Sequence, residues 1–209
     1  PDDPEVWAKL DEMVVDRVFH FSDGLGLRVS RTFVDEGGHF TQEVRLQCLA
    51  RFSKNVFCIK GMPGLDKPFT APPKKQKIVV GGRVVAMCWQ YQLGVDAGKY
   101  CHFPKRDDYG SGYFAGLLSE RLEYDATKRQ PWIWKKIPGH ERNEALDCRN
   151  YAMAAFKTLP ANLDEIDRKL KALRGQSLPE GAAQPAPPKR PTKKRRSSGG
   201  VLNKYYDAW

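Results

Sequence analysis

Residues 25–61, LGLRVSRTFVDEGGHFTQEVRLQCLARFSKNVFCIKG, decide the fold. Leu27, Val29, Arg31 and Phe33 alternate onto one side, which reads as a strand with Asp35 at its carboxyl end and Gly37-Gly38 breaking it there. From Phe40 the period changes. Phe40, Val44, Cys48 and Phe52 recur every four residues with Leu49 beside them, the mark of one helical face. NVFCIKG then reads as a second short strand ending in Lys60-Gly61. Strand, helix and strand in this order start an α/β domain built on a mixed sheet.

Upstream, apolar residues from Val6 to Phe21 fall at three- and four-residue spacing and predict an amphipathic helix ended by Ser22-Asp23-Gly24. Downstream, the Pro- and Lys-rich segment Met62 to Lys77 reads as a surface loop, with Lys60, Lys74 and Lys75 placed to meet DNA. Lys77 to Val95 reads as two strands joined at Gly81-Gly82, the second running into Asp96. Tyr113 to Tyr124 predicts a short helix, PWIWKKIP an extended run with Trp132 and Trp134 on the same side, and Asn143 to Leu159 a helix stopped by Pro160. A charged amphipathic helix, Leu163 to Leu173, closes a domain spanning 1–174. Residues 175–209 carry too little apolar surface to fold and read as a disordered basic tail, whose last nine residues, VLNKYYDAW, suit a docking peptide or a plain terminus.

No window reaches the roughly 18 to 20 apolar residues of a membrane span. The opening PDDPEVWAKL has no signal-peptide core, and the chain reads as a piece of something longer. Its five cysteines never form a CxxC pair, which suits reduced, packed thiols rather than zinc. Net charge is +10, and Lys189 to Trp209, with seven Lys or Arg and one Asp, supplies +6 of it. A positive balance favours a polyanionic partner, and Lys193, Lys194, Arg195 and Arg196 form a patch able to grip one.

Gly94 to Lys99, GVDAGK, falls one residue short of a phosphate loop and puts Tyr100 where Ser or Thr belongs, so it does not mark a nucleotide site. In sheets of this class chemistry sits at the carboxyl ends of strands, where both Asp35 and Asp96 fall. Asp35 reads either as a turn aspartate before two glycines or as a metal ligand. Asp147 complements the helix dipole as a first-turn carboxylate. It also lies one step round from the small-residue stripe Ala145, Cys148, Ala152 and Phe156, so near the buried face that it needs a partner, and a cation is one candidate. Glu144 reads as a solvated helix-start residue within reach of the same place. The four histidines form no metal or nucleophile grouping.

In order, VDEGGHFTQEV, FCIKG, YCHFP and RNEALDCRNYAMAAF resemble the nuclease domain of tailed-phage terminase large subunits of the lambda GpA-like kind. The resemblance covers about residues 1 to 160. It implies a ribonuclease H-like domain that cuts concatemeric double-stranded DNA during packaging in the host cytoplasm, with the terminase small subunit and portal protein as partners. It also implies two Mg²⁺ or Mn²⁺ ions on acidic residues, Asp35 and Asp147 by motif and Asp96 as a third, for in-line phosphodiester hydrolysis. The family's first strand and its aspartate would precede Val6, so the sheet is expected to lack its first strands. Lys99 running straight into Tyr100 looks like an internal deletion, and no Walker motif of an ATPase half is present. The expectation is an endonuclease fragment, the alternatives being a non-catalytic DNA-binding or assembly module and a decayed prophage remnant.

Overall fold

The computed structural model describes residues 3–62, 67–94, 103, 105–107, 109–129, 131–140 and 142–175. They belong to two units, 1–160 and 161–209, each with its own elements. The first opens with α1 (Pro4–Leu10), whose first turn holds Pro4 and whose N-cap Asp3 accepts from the Glu5 amide at 2.9 Å. A single π turn, Asp11–Val15, follows. The helix expected to reach Phe21 stops there. Val18–His20 forms β1 and pairs antiparallel with β2 (Gly26–Arg28), because Ser22-Asp23-Gly24 turns a hairpin instead of capping a helix. Asp23 accepts from the Leu25 amide, and Gly24 takes φ +83°. The single strand expected from Leu27 through Asp35 is accordingly split, its second half being β3 (Thr32–Asp35).

β3 leads through α2 (Thr41–Ala50) to β4 (Val56–Gly61), and a long hairpin of β5 (Thr70–Val80) and β6 (Arg83–Leu93) completes a sheet of order β3-β4-β6-β5. β3, β4 and β6 are parallel and β5 is antiparallel. This is the expected mixed α/β sheet flanked by helices, of ribonuclease H-like type. Gly81 and Gly82, at φ +54° and +77°, supply the left-handed pair that a two-residue hairpin needs. The loop expected over Met62–Lys77 is a strand from Thr70 onward. β5 is an edge strand, so Pro72 and Pro73, which lack N–H donors, are absorbed where the register shifts between Ala71 and Lys74.

The pleat sorts the core into two layers. Val56, Cys58, Ile78 and Cys88 cluster with Cys48 of α2 on one face. Phe57, Ile59, Tyr91 and Leu93 cluster with Ala154 of α4 (Glu144–Lys157) on the other. The Cys58 thiol is pushed far above its usual range, first by its hydrogen bond to Cys48 and then by burial. The Cys88 thiol is raised first by its hydrogen bond to Cys58 and then by burial, so both stay protonated and serve as packing. Cys148, by contrast, is exposed. Ile78 has no exposed surface. Ile78→Ala is expected to cost about 2–5 kcal/mol, read as a lower urea midpoint at unchanged m-value.

Beyond the sheet, α3 (Ser111–Leu117) is followed by a separate hairpin of β7 (Glu120–Tyr124) and β8 (Trp132–Lys136). The helix expected over Tyr113–Tyr124 therefore ends early. Buried Ser119 donates back to the Gly116 carbonyl at 2.8 Å, and its own carbonyl accepts from the Ile137 amide, which turns the chain into the β7–β8 pairing. The second unit contributes α5 (Leu163–Gly175), braced by Lys169–Glu165 and Lys171–Asp167 pairs one turn apart. The tail from residue 176, including Lys193, Lys194, Arg195 and Arg196, lies outside the described residues. No described helix is long and apolar enough to cross a membrane.

Candidate functional site

Asp35 and Glu36 are neighbours in sequence and point to opposite sides of the sheet. Phe33 belongs to the layer under α4 and Val34 to the layer under α2, so the same alternation carries Asp35 toward α4 and Glu36 toward α2. Glu36 is buried and meets Arg45 of α2 through a two-pronged ion pair, Nη2 to Oε1 at 2.7 Å and Nε to Oε2 at 2.9 Å. Gln90 of β6 donates to the same Oε1, and Gln76 of β5 donates to Gln90 at 3.1 Å. The Glu36 amide donates to the Ile59 carbonyl, and Thr41 donates to the Glu36 carbonyl. The end of β3 is thus tied to α2, β4 and β6 at once, and Asp35 is held beside it.

Asp35 itself is exposed at the carboxyl edge of the parallel strands, where one oxygen accepts from the Gly37 amide at 2.9 Å. A side chain at Gly37 would meet that carboxylate at 3.1 Å, so the glycine keeps the turn open. α4 lies over β3 in the reverse direction. Arg31, just before β3, donates to the Thr158 carbonyl at the end of α4 at 2.6 Å, while Tyr151 and Asp147, earlier in α4, come to the Asp35 end. Ala154, with no exposed surface, lets the helix approach.

The helix presents a different face from the one its small residues indicate. Ala145, Cys148, Ala152 and Phe156 line a groove of about 400 Å³ on the α3 side with Tyr113, Arg149 and Met153; Ala145 faces Gly116 of α3, and Phe156 is half exposed. The sheet-facing row is Asp147, Tyr151 and Ala154, spaced at four and three residues. Asp147 is therefore on the buried side itself, not one step round from it.

A third carboxylate joins this edge. Glu120, the first residue of β7, shares the Asn143 side-chain amide with Asp147: Nδ2 donates to Glu120 Oε1 at 2.9 Å and to Asp147 Oδ2 at 3.0 Å. Burial raises the Asp147 carboxyl above its ordinary range, and the charges of Glu120 and Asp35 raise it further, with Lys136 only partly offsetting them. Burial also raises the Tyr151 hydroxyl, followed by the charges of Asp35 and Asp147 and a hydrogen bond to Asp35. Asp147 thus feels both Asp35 and Glu120, and it links the end of β3 to the start of β7. Glu120 and Tyr151 carry no mark in the sequence. Only the turn after α3 and the seating of the α4 face bring them in.

Asp96 lies outside the described residues. Glu144 is exposed at the start of α4, pairs with Arg142, and adds only a weak repulsion at Asp147. Lys60 is exposed at the same sheet edge as Asp35, whereas Lys74 and Lys75 lie within the edge strand β5, Lys75 against the Trp89 ring at 5.2 Å.

The family model for the terminase large subunit gpA, endonuclease domain, matches residues 1–168. The chain belongs to that family. No curated protein and no solved structure matches it. A nuclease domain of a terminase large subunit acts on DNA and generally depends on a divalent metal. Among the described residues, no three His, Cys, Asp or Glu side chains close into a ready metal cage. The chemistry of the donors nevertheless fits a hard cation: carboxylate oxygens, with Asp147 repelled by both Glu120 and Asp35 at a partly buried edge and Lys136 only partly offsetting them.

Proposed function

We propose that this domain is a DNA endonuclease of the phage packaging machinery, cutting concatemeric double-stranded DNA in the cytoplasm of the bacterial host. The observation that carries the reading is the convergence of Asp35, Glu120 and Asp147 from three separate elements onto one edge. Asp35 and Asp147 would hold Mg²⁺ or Mn²⁺, and Glu120 completes the charge that a cation would neutralise. When bound, such ions activate water and stabilise the leaving oxygen of phosphodiester hydrolysis. Asn143 keeps Glu120 and Asp147 at a fixed separation, and the Gly37 amide orients Asp35. Tyr151 keeps its proton and limits the rotation of Asp35. Asp96 remains a proposed third acidic residue, and the terminase small subunit and portal protein are the proposed partners.

Nicking of supercoiled plasmid with Mn²⁺ tests the reading. The wild-type chain is expected to nick, and Asp35→Asn to lose about 10²-fold or more of that rate, since even residues that only support metal ligands contribute about 10- to 100-fold. Equal cleavage by both proteins would end the metal-site assignment. Salt-sensitive DNA binding without cleavage by either would favour a non-catalytic packaging module.

A further inference from the structure

The β7–β8 hairpin begins at the carboxylate edge and leads away from it. In an antiparallel pair, residues directly opposite one another share a face, and the register here is Glu120 with Lys136, Leu122 with Trp134, and Tyr124 with Trp132. One face therefore carries Glu120 at the site, then Trp134, then Tyr124 and Trp132. Residues Trp134, Tyr124 and Trp132 are 49%, 61% and 45% exposed, and the rings of the last two meet edge to face at 5.2 Å. At ~3.3 Å per residue, the row extends about 13 Å from Glu120. On the opposite face Arg121 and Lys135 both pair with Glu123, at 2.6 and 2.9 Å, beside the part-buried Ile133. The base of the hairpin is fixed by Ser119, whose carbonyl accepts from Ile137, and by His140, whose Nδ1 lies 3.0 Å from the Ala115 carbonyl oxygen.

Three exposed rings in a row are costly surface for a hairpin to display without use. Residues 120–136 carry five Lys or Arg against three carboxylates, with Lys128 and Arg129 exposed at the turn beyond the rings. Flat aromatic faces flanked by cations match unpaired bases on a phosphate backbone, because the rings take base faces and the cations take phosphates. An intact duplex offers only the second contact, its base faces being stacked inside.

We propose that the β7–β8 hairpin is a stacking platform for unpaired nucleotides of one DNA strand, running from the carboxylate edge through Trp134 to Tyr124 and Trp132. The proposal rests on the endonuclease reading for its geometry, because Glu120 ties the platform to the site. Its consequence is that DNA at the site is locally unpaired when engaged.

The test uses the 209-residue chain without divalent metal, so that binding is read apart from cleavage. Fluorescence anisotropy of a labelled dT12 oligonucleotide, and of a blunt duplex of equal length, is compared at about 0.15 M salt, where long-range charge effects are screened beyond about 8 Å. Trp132→Ala and Tyr124→Ala are each expected to weaken dT12 binding about 10-fold while changing duplex binding less than about twofold. Trp132→Phe, which keeps a ring, is expected to restore most of the loss. Unchanged circular dichroism verifies that these exposed positions leave the fold intact. Equal loss for both DNAs, or no loss for either, would overturn the platform. So would an unchanged dT12 affinity accompanied by loss of self-association in sedimentation, which would make the rings an interface between copies. Loss of plasmid nicking in Asp35→Asn with no ring effect on dT12 leaves the endonuclease reading standing and removes the platform alone. A ring effect on dT12 in a chain that never nicks does the reverse.

Discussion

Asp147→Asn is expected to abolish most metal-dependent cleavage while making the folded domain more stable at neutral pH. The two effects have one cause. Asp147 sits half-buried on the sheet side of α4, where burial, Glu120 and Asp35 all disfavour its charge and raise its carboxyl above 3.8. A carboxyl raised in the folded state binds more protons folded than unfolded between the two values. Stability therefore falls as pH rises through that window, and the folded state carries the penalty in full above it. Asparagine cannot ionise and its side-chain oxygen still accepts from Asn143, so the variant escapes the penalty. Urea unfolding is expected to show a higher midpoint for Asp147→Asn at pH 7, with the advantage shrinking as pH falls toward and below 3.8. Mn²⁺ should raise the melting temperature of the wild-type protein, because a ligand bound only by the folded state stabilises it, and should raise that of Asp147→Asn far less. Cleavage is expected to drop by about 10²-fold or more. A variant that loses cleavage and also loses stability at neutral pH would indicate that Asp147 is a structural helix-start residue after all.

Two levels of information separate what is legible in the sequence from what is not. The β3–α2–β4 unit is readable because a four-residue apolar period from Phe40 to Phe52 lies between two short apolar runs, Phe33-Val34 and Val56–Ile59, and Asp35 falls where the first strand must end. α4 is readable as a helix, but its orientation is not. Small residues on one face, Ala145, Cys148 and Ala152, look like the stripe that seats the helix on the sheet, yet they face α3, where Ala145 meets Gly116. The row that meets the sheet contains an aspartate and a tyrosine, which no hydrophobic pattern would choose. β5 is hidden because Pro72 and Pro73 resemble a loop, and only an edge position with a register shift makes them compatible with a strand. Glu120 is hidden for a different reason. Its partner Asn143 lies 23 residues away, across a hairpin that starts inside the stretch whose sequence reads as the helix Tyr113–Tyr124.

Arg45→Ala is expected to be among the most destabilising single substitutions, about 3–5 kcal/mol, because it leaves the Glu36 carboxylate buried without its counter-ion. The Glu36 side chain has no exposed surface and that of Arg45 is 13% exposed, so water cannot replace the guanidinium without opening the sheet. Gln90 would remain as a neutral donor, and one amide does not compensate a buried charge. The same guanidinium donates to the Lys77 carbonyl at 2.9 Å, so its loss also removes one link between α2 and β5, leaving the Val79 amide on Gln42. Arg45→Lys keeps the charge but offers no planar fork to the two carboxylate oxygens, and an intermediate loss is expected. Denaturant unfolding followed by far-UV circular dichroism reads all three proteins. A loss below about 1 kcal/mol for Arg45→Ala, the range of a surface ion pair, would show that the network is dispensable. The consequence for function follows from the pleat. Glu36 is anchored on one side of the sheet so that Asp35, its immediate neighbour, is presented on the other, and loosening the anchor should blur the position of Asp35 before the domain unfolds. Cleavage by Arg45→Lys, measured well below its melting temperature, is accordingly expected to fall by about 10-fold, a loss that stability alone would not produce in a fully folded sample.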